Sequence, residues 1–125
     1  DFTDTTALLQ ITPPSEIKGH AHVWNTSAEP IPVYAPVDMT LTSGAYYTEQ
    51  EMPQYILWFD VTCEVQIKFD HMHTPVESIV ATLPETPREI NDTRSVAVTE
   101  EITFKAGDLI GHTTGTLAPS RDCVT

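Results

Sequence analysis

Apolar and polar residues alternate along short stretches of this chain, and prolines separate those stretches. The clearest alternation covers residues 64–69, where Val65, Ile67 and Phe69 are the apolar members. A period of two residues is typical of a strand with one buried face. We therefore predict a strand over residues 64–69, with its three apolar side chains buried. We expect the dense aromatic and β-branched run at 55–60 to form its neighbour.

Shorter apolar runs predict further strands, at residues 21–24, 32–35, 39–43, 95–99, 102–104 and 109–111. Gly44 is expected to end the strand at 39–43, because glycine weakens strand interiors. Residues 105–108 are predicted to form a turn in which Gly107 takes a positive φ. We interpret the aromatic side chains of the 55–60 run as core residues rather than a sugar-binding platform. They are Tyr55, Trp58 and Phe59.

One short helix is predicted near the middle of the chain, with Pro75 in its first turn. Prolines at positions 84 and 87 would end it. We interpret residues 85–93 as a surface loop. The apolar residues on one side of the predicted helix are Val76, Ile79, Val80 and Leu83.

These elements indicate an all-β protein with at most one short helix. The 125 residues fit a single domain. We divide it into an N-terminal arm with one short strand at 1–18, a β-rich body at 20–118 and a tail at 119–125. Hydrophobic residues make up 40% of the chain and charged residues 19%, a composition that excludes an intrinsically disordered chain.

The net charge of the chain limits the classes of molecule that we expect it to bind. The chain carries 18 acidic and 6 basic residues, for a formal net charge of -12. Phosphate backbones and anionic lipid headgroups would be repelled by such a surface, so we expect no nucleic-acid partner. No apolar run approaches the roughly 18 residues that span a bilayer, so we expect no membrane insertion.

The two cysteines, Cys63 and Cys123, are too few for a disulfide framework and do not have the spacing of a zinc ribbon. They can form one bridge in an exported protein, or remain free. The sequence begins without Met or an apolar signal segment, so we interpret it as a mature or excised chain. Low lysine and high threonine content favour an exported protein.

Three segments together resemble the lysostaphin-type zinc endopeptidases, which are peptidoglycan hydrolases. They are the strand and turn PVYAPVD at 32–38, the strand VQIKFDHM at 65–72 and the hairpin FKAGDLIG at 104–111. The resemblance covers residues 20–118 and implies a small antiparallel barrel-sandwich hybrid built from a duplicated hairpin motif. Biotin and lipoyl carrier domains share the hairpin, but Lys105 is not in the position of their modified lysine.

The resemblance also implies a set of site residues. His71 corresponds to a family histidine that polarises the scissile carbonyl or moves protons, which makes it the candidate catalytic residue. His20 and His22 lie near the family's first metal motif and are the candidate metal ligands. We expect His71 and at least one of these two to face each other in a groove. His73 and His112 are expected to be ordinary polar residues.

The family's metal chemistry is incomplete in this sequence. A catalytic zinc site needs three protein ligands and an open position. No Asp follows His20 or His22 at the family's H-x-x-x-D interval, and no H-x-H pair follows Gly115. We therefore expect zinc to bind weakly or not at all.

Three functions stay open at this point, and the sequence does not decide whether the protein is an enzyme. The domain can be a degenerate peptidase-like module that binds a peptide or cell-wall glycopeptide through its histidine groove. It can be an active zinc endopeptidase whose last ligand motif lies beyond residue 125. It can also be a structural module of a larger exported protein.

Overall fold

A computed structural model describes residues 8–12, 22–25, 29–49, 51–90 and 92–115, with only the backbone described at 8–12 and 22–25. The described residues are mostly strand. The elements are β1 (Leu8–Thr12), β2 (His22–Asn25), β3 (Ile31–Tyr34), β4 (Met39–Glu49), β5 (Met52–Asp60), β6 (Gln66–Met72), β7 (Thr74–Pro75), α1 (Glu77–Val80), β8 (Arg88–Ile90), β9 (Val96–Phe104) and β10 (Leu109–Thr113).

The strands of the described residues form three sheets. β1 pairs with β2, and β10 lies between β3 and β7 in a second sheet. The largest sheet has the order β6-β5-β4-β8, and β9 also pairs with β4. All pairings are antiparallel except the short parallel contact between β4 and β8. The prediction of an all-β fold with at most one short helix is confirmed, and these sheets are not closed.

The main core lies on one face of the five-stranded sheet, where residues of β3, β10 and α1 pack against it. β5 shows the alternation that builds this core: Tyr55, Leu57 and Phe59 belong to it. Ile56 and Trp58 lie on the other face and pack with Ala45 and Tyr47. The interpretation of Tyr55 and Phe59 as core residues is confirmed, whereas Trp58 is only half-buried.

The strand predicted at 64–69 is present, and β5 is its neighbour as expected. It begins only at Gln66, because residues 61–65 form a turn in which Thr62 Oγ1 accepts hydrogen bonds from the N–H groups of Glu64 and Val65. The predicted burial of Val65 is therefore wrong, and its side chain is 50% exposed. Ile67 and Phe69 pack against the core but are only partly buried, so the predicted burial holds for them only in part.

Gly44 does not end its strand, since β4 continues to Glu49. A Cβ at this position would lie 2.7 Å from the carbonyl oxygen of Ile56 on the paired strand. Glycine inside a strand often marks such a close approach of two backbones. The residue therefore permits tight pairing of β4 with β5 instead of interrupting it.

The predicted helix is present but shorter than its apolar spacing indicates. Pro75 does not lie in its first turn, because it belongs to β7 and pairs with Gly111. Ile79 and Leu83 are buried as predicted, whereas Val80 is exposed. The segment interpreted as a surface loop at 85–93 contains β8, which pairs with β4 at Tyr47 and Thr48.

Two turns of the chain are joined by one hydrogen bond to a side-chain carboxylate and one between backbone groups. Asp38 accepts a hydrogen bond from the N–H of Ala106 at 2.9 Å, and Ala35 donates its N–H to the carbonyl of Asp108 at 2.8 Å. The turn at 105–108 has Gly107 at φ 91°, which confirms the expected positive φ. The predicted strands at 95–99 and 102–104 form one continuous strand, β9.

The described residues bear only in part on two further expectations, the cysteine bridge and the absence of membrane insertion. Cys63 is exposed in the turn after β5, and Cys123 lies outside the described residues, so their bridge stays a prediction. None of the helical segments in the described part of the chain has the length and apolar character needed to cross a membrane.

Candidate functional site

His71 lies in a bulge near the end of β6. Leu57 pairs with Phe69 and Tyr55 pairs with Met72, so two residues of β6 oppose the single residue Ile56 of β5. Such an extra residue bends the strand and redirects side chains, and bulges are frequent next to active sites.

The backbone of His71 has a φ of 57°, in the left-handed region. For residues other than glycine this conformation costs about 1–2 kcal/mol, and it persists only where surrounding contacts impose it. A histidine in this conformation within a strand is therefore a candidate functional residue.

The bulge places Asp70 and His71 beside polar residues of β4 and β5. Tyr47 donates its hydroxyl to Asp70 Oδ1 at 3.0 Å, and His71 Nδ1 lies 2.6 Å from Gln54 Oε1. Asp70 Oδ1 also accepts the backbone N–H of His71 at 2.9 Å. With Glu49, whose Oε2 lies 3.3 Å from His71 Nδ1, these residues form what we call the His71 cluster.

Gln54 is the buried centre of the His71 cluster, at 2% exposure. Its Nε2 donates to the carbonyl oxygens of Glu49 at 3.2 Å and Met52 at 3.3 Å, at the end of the β4–β5 hairpin. Its Oε1 therefore points to His71 and also accepts from Tyr47 at 3.4 Å. The buried amide is satisfied on both sides, as a polar group in a core must be.

The His71 cluster and its neighbours combine a neutral hydroxyl with charged side chains of both signs. Burial, and secondly the charge of Asp70, raise the pKa of the Tyr47 hydroxyl far above its usual range, so this group stays a neutral donor. Lys68 Nζ lies 3.5 Å from Asp70 Oδ2 and 5.6 Å from the centre of the Trp58 ring. A line of polar groups thus runs from Trp58 to His71 on one face of the sheet.

Thr113 of β10 fixes the bulge from the second sheet. Its hydroxyl donates to the carbonyl oxygen of His71 and accepts the N–H of Gly115 at 3.0 Å. His73 Nδ1 lies 2.9 Å from the hydroxyl oxygen of Thr113. Burial, and then the neighbouring His71, lower the pKa of His73 below its ordinary value.

Three residues were predicted from the sequence to form the site, and the structure describes the side chain of only one of them. His71 lies in the cluster. His20 is outside the described residues, and of His22 only the backbone in β2 is described. The expectation that one of them faces His71 therefore stays a prediction. His112 lies in β10, where it pairs with Pro32 and Thr74.

Sequence reasoning missed the other members of the cluster. Asp70 stands in the quoted motif next to His71 but received no role. Gln54 precedes the dense apolar run of β5, and a single polar residue at the edge of such a run is the only signal that pointed to it. Tyr47 and Glu49 join the site because β4 continues past Gly44, which the sequence did not predict.

The described residues do not fit a zinc centre. Within these parts of the chain no group of three or more His, Cys, Asp or Glu residues is placed to hold a metal ion. The side chains of His20 and His22 are not among them. The expectation of weak or absent zinc binding stays a prediction.

Comparison with known proteins gave no relative. No family model, no curated protein and no solved structure matches the chain.

Proposed function

We propose that this domain is a degenerate lysostaphin-type peptidase-like module that binds a peptide or cell-wall glycopeptide at the His71 cluster without cleaving it. The observation that carries the proposal is the left-handed backbone of His71 at a bulge surrounded by polar side chains. Backbone strain of this kind is concentrated at binding and catalytic sites.

The arrangement of the three segments quoted for the resemblance supports the family assignment. The turn that ends 32–38 and the turn of 104–111 share hydrogen bonds between Asp38 and Ala106 and between Ala35 and Asp108. Soon after the 104–111 segment, Thr113 bonds to His71 at the end of the 65–72 segment. The 32–38 and 104–111 segments thus meet at their turns, and the strand that follows the second of them reaches His71.

The charges of the site favour a ligand with a cationic group. Glu49 and Asp70 place two carboxylates beside the imidazole, and Lys68 offsets only one of them. The net charge of -12 adds a long-range attraction for cations. A peptide with a free amino group, as cell-wall peptides carry, would be attracted by this negative electrostatic potential.

Loss of cleavage is proposed from the sequence. No Asp follows a histidine at the H-x-x-x-D interval, and no H-x-H pair follows Gly115, where the family carries its last ligand. A hydrolytic zinc centre needs three protein ligands, and the described residues include no group of three placed to hold a metal ion.

Titration of the protein with soluble peptidoglycan fragments, followed by amide NMR, tests the proposal. We expect shifts centred on the His71 cluster, weaker for fragments whose amino groups are acetylated. His71→Gly keeps the left-handed backbone but removes the imidazole, and it should reduce affinity at least tenfold. His112→Gln, the matched control, should bind as the wild type does.

The absence of shifts, or shifts confined to other surfaces, would contradict the proposal. Metal analysis of protein prepared without chelators, repeated on His22→Ala, tests the alternative. Stoichiometric zinc that is lost in His22→Ala, together with zinc-dependent cleavage of the fragments, would favour the active endopeptidase.

A further inference from the structure

Among the described residues, every polar side-chain atom that contacts Nδ1 of His71 is a hydrogen-bond acceptor. Gln54 Oε1 lies at 2.6 Å, Glu49 Oε2 at 3.3 Å and Asp70 Oδ1 at 4.0 Å. Carbonyl and carboxylate oxygens carry no proton to donate. A nitrogen that contacts them at these distances must therefore carry the hydrogen.

The orientation of the Gln54 amide decides this argument, because the amide also has a donor end. Its Nε2 contacts the carbonyl oxygens of Glu49 and Met52. Turning the amide over would place Oε1 against these two carbonyl oxygens, where no hydrogen is available. The two carbonyls at the hairpin end thus fix Oε1 toward His71.

From these contacts we infer that Gln54 is a positioning residue that holds the neutral His71 imidazole in the Nδ1–H tautomer and leaves Nε2 as a hydrogen-bond acceptor. A neutral imidazole carries one hydrogen, so the nitrogen opposite an Nδ1–H has a free lone pair. The side chain is 31% exposed. Among the described residues no group hydrogen-bonds to Nε2.

This tautomer selects the chemistry of the partner. Nε2 accepts a hydrogen bond from a peptide N–H or an ammonium group and gives none to a carbonyl oxygen while the ring is neutral. This step rests on the proposed function, whereas the tautomer itself rests on the contacts of Gln54 alone. The cluster thus recognises the donor side of a peptide, in agreement with its two carboxylates.

Long-range ¹H–¹⁵N NMR of the imidazole, at a pH where the ring is neutral, measures the tautomer without any ligand. We expect His71 to show the Nδ1–H pattern, and an Nε2–H pattern would overturn the inference. Gln54→Ala should raise the ratio of Nε2–H to Nδ1–H by about three- to tenfold, the factor for one ordinary hydrogen bond.

Gln66→Ala is the matched control, because within the described part of the chain the exposed Gln66 side chain bonds to Asp60 and to no member of the His71 cluster. It should leave the tautomer ratio unchanged. An unchanged ratio in folded Gln54→Ala, judged from its amide spectrum, would show that Glu49 rather than Gln54 sets the tautomer and would overturn the assigned role.

Addition of soluble peptidoglycan fragments separates this inference from the proposed function. We expect the ¹⁵N resonance of Nε2 to move as it accepts a hydrogen bond, while Nδ1 keeps its proton. Amide shifts around the cluster without a change at Nε2 would support binding but overturn the donor chemistry. No shifts at all would contradict the proposed function and leave the ligand-free tautomer result standing.

Discussion

The hydroxyl of Thr113 donates a hydrogen bond to the backbone carbonyl of His71, across 42 residues of sequence and between two sheets. The hydroxyl oxygen of Thr113 also accepts a hydrogen bond from the N–H of Gly115 and lies 2.9 Å from Nδ1 of His73. One side chain therefore satisfies three groups around the bulge. This contact explains how the strained backbone of His71 is held in place.

Thr113→Val should destabilise the protein by about 1–3 kcal/mol, because it leaves partly buried polar groups without their partner. Urea unfolding measures the loss. Thr103→Val is the control, since among the described residues its hydroxyl bonds to Thr40 alone, on an exposed surface. That change should stay within about 0.5 kcal/mol. Equal effects of the two substitutions would show that Thr113 does not hold the bulge.

Replacement of His71 tests the backbone strain. His71→Gly should be about 1 kcal/mol more stable than His71→Ala, because only glycine adopts φ 57° without steric conflict. His112 lies in a regular part of β10. At this position the alanine variant should be more stable than the glycine variant, since glycine weakens strands. Chemical unfolding of the four variants provides the comparison. Alanine as stable as glycine at position 71 would argue against strain.

The sequence predicted most strands because alternation depends only on neighbouring residues. It did not predict the bulge, since an extra residue becomes visible only when β6 is paired with β5. The role of Gln54 was hidden for the same reason, because its partners Glu49 and His71 meet it only in the folded hairpin. The candidate His71 was found through the family resemblance, whereas its neighbours required the fold.

The two glycines of the β9–β10 hairpin should respond differently to alanine. A Cβ at Gly111 would lie 2.5 Å from the carbonyl oxygen of Thr74 and 2.6 Å from Pro75 Cα. Backbone atoms cannot give way cheaply, so Gly111→Ala should cost about 3 kcal/mol or more. A Cβ at Gly107 would lie within 4 Å of no atom of the described residues, so only the φ of 91° opposes it and Gly107→Ala should cost about 1 kcal/mol. Thermal unfolding that ranks them in the opposite order would contradict the packing of β7 against β10.

The predicted bridge between Cys63 and Cys123 is open to a direct measurement. It would close a loop of about 60 residues and add about 3–4 kcal/mol by chain entropy. Non-reducing peptide mapping of protein from an oxidising compartment should find the linked pair. Cys63→Ser should then lower the midpoint of urea unfolding, and reductant should have the same effect on the wild type only. Free thiols at both positions would show that the bridge is absent.

Stability should fall on mild acidification because of His73. Its folded pKa lies below the ordinary value of 6.5, owing first to burial and then to His71, so the unfolded chain binds the proton more tightly. The contribution is complete above about pH 6.5 and is lost as the pH falls through the folded pKa. The lowered pKa values of Asp38 and Asp92 act only in more acidic solution, below the ordinary value of 3.8. Urea unfolding between pH 8 and pH 5 should therefore show a slope that His73→Gln reduces. An unchanged slope in His73→Gln would show that the imidazole beside Thr113 is not the group that titrates.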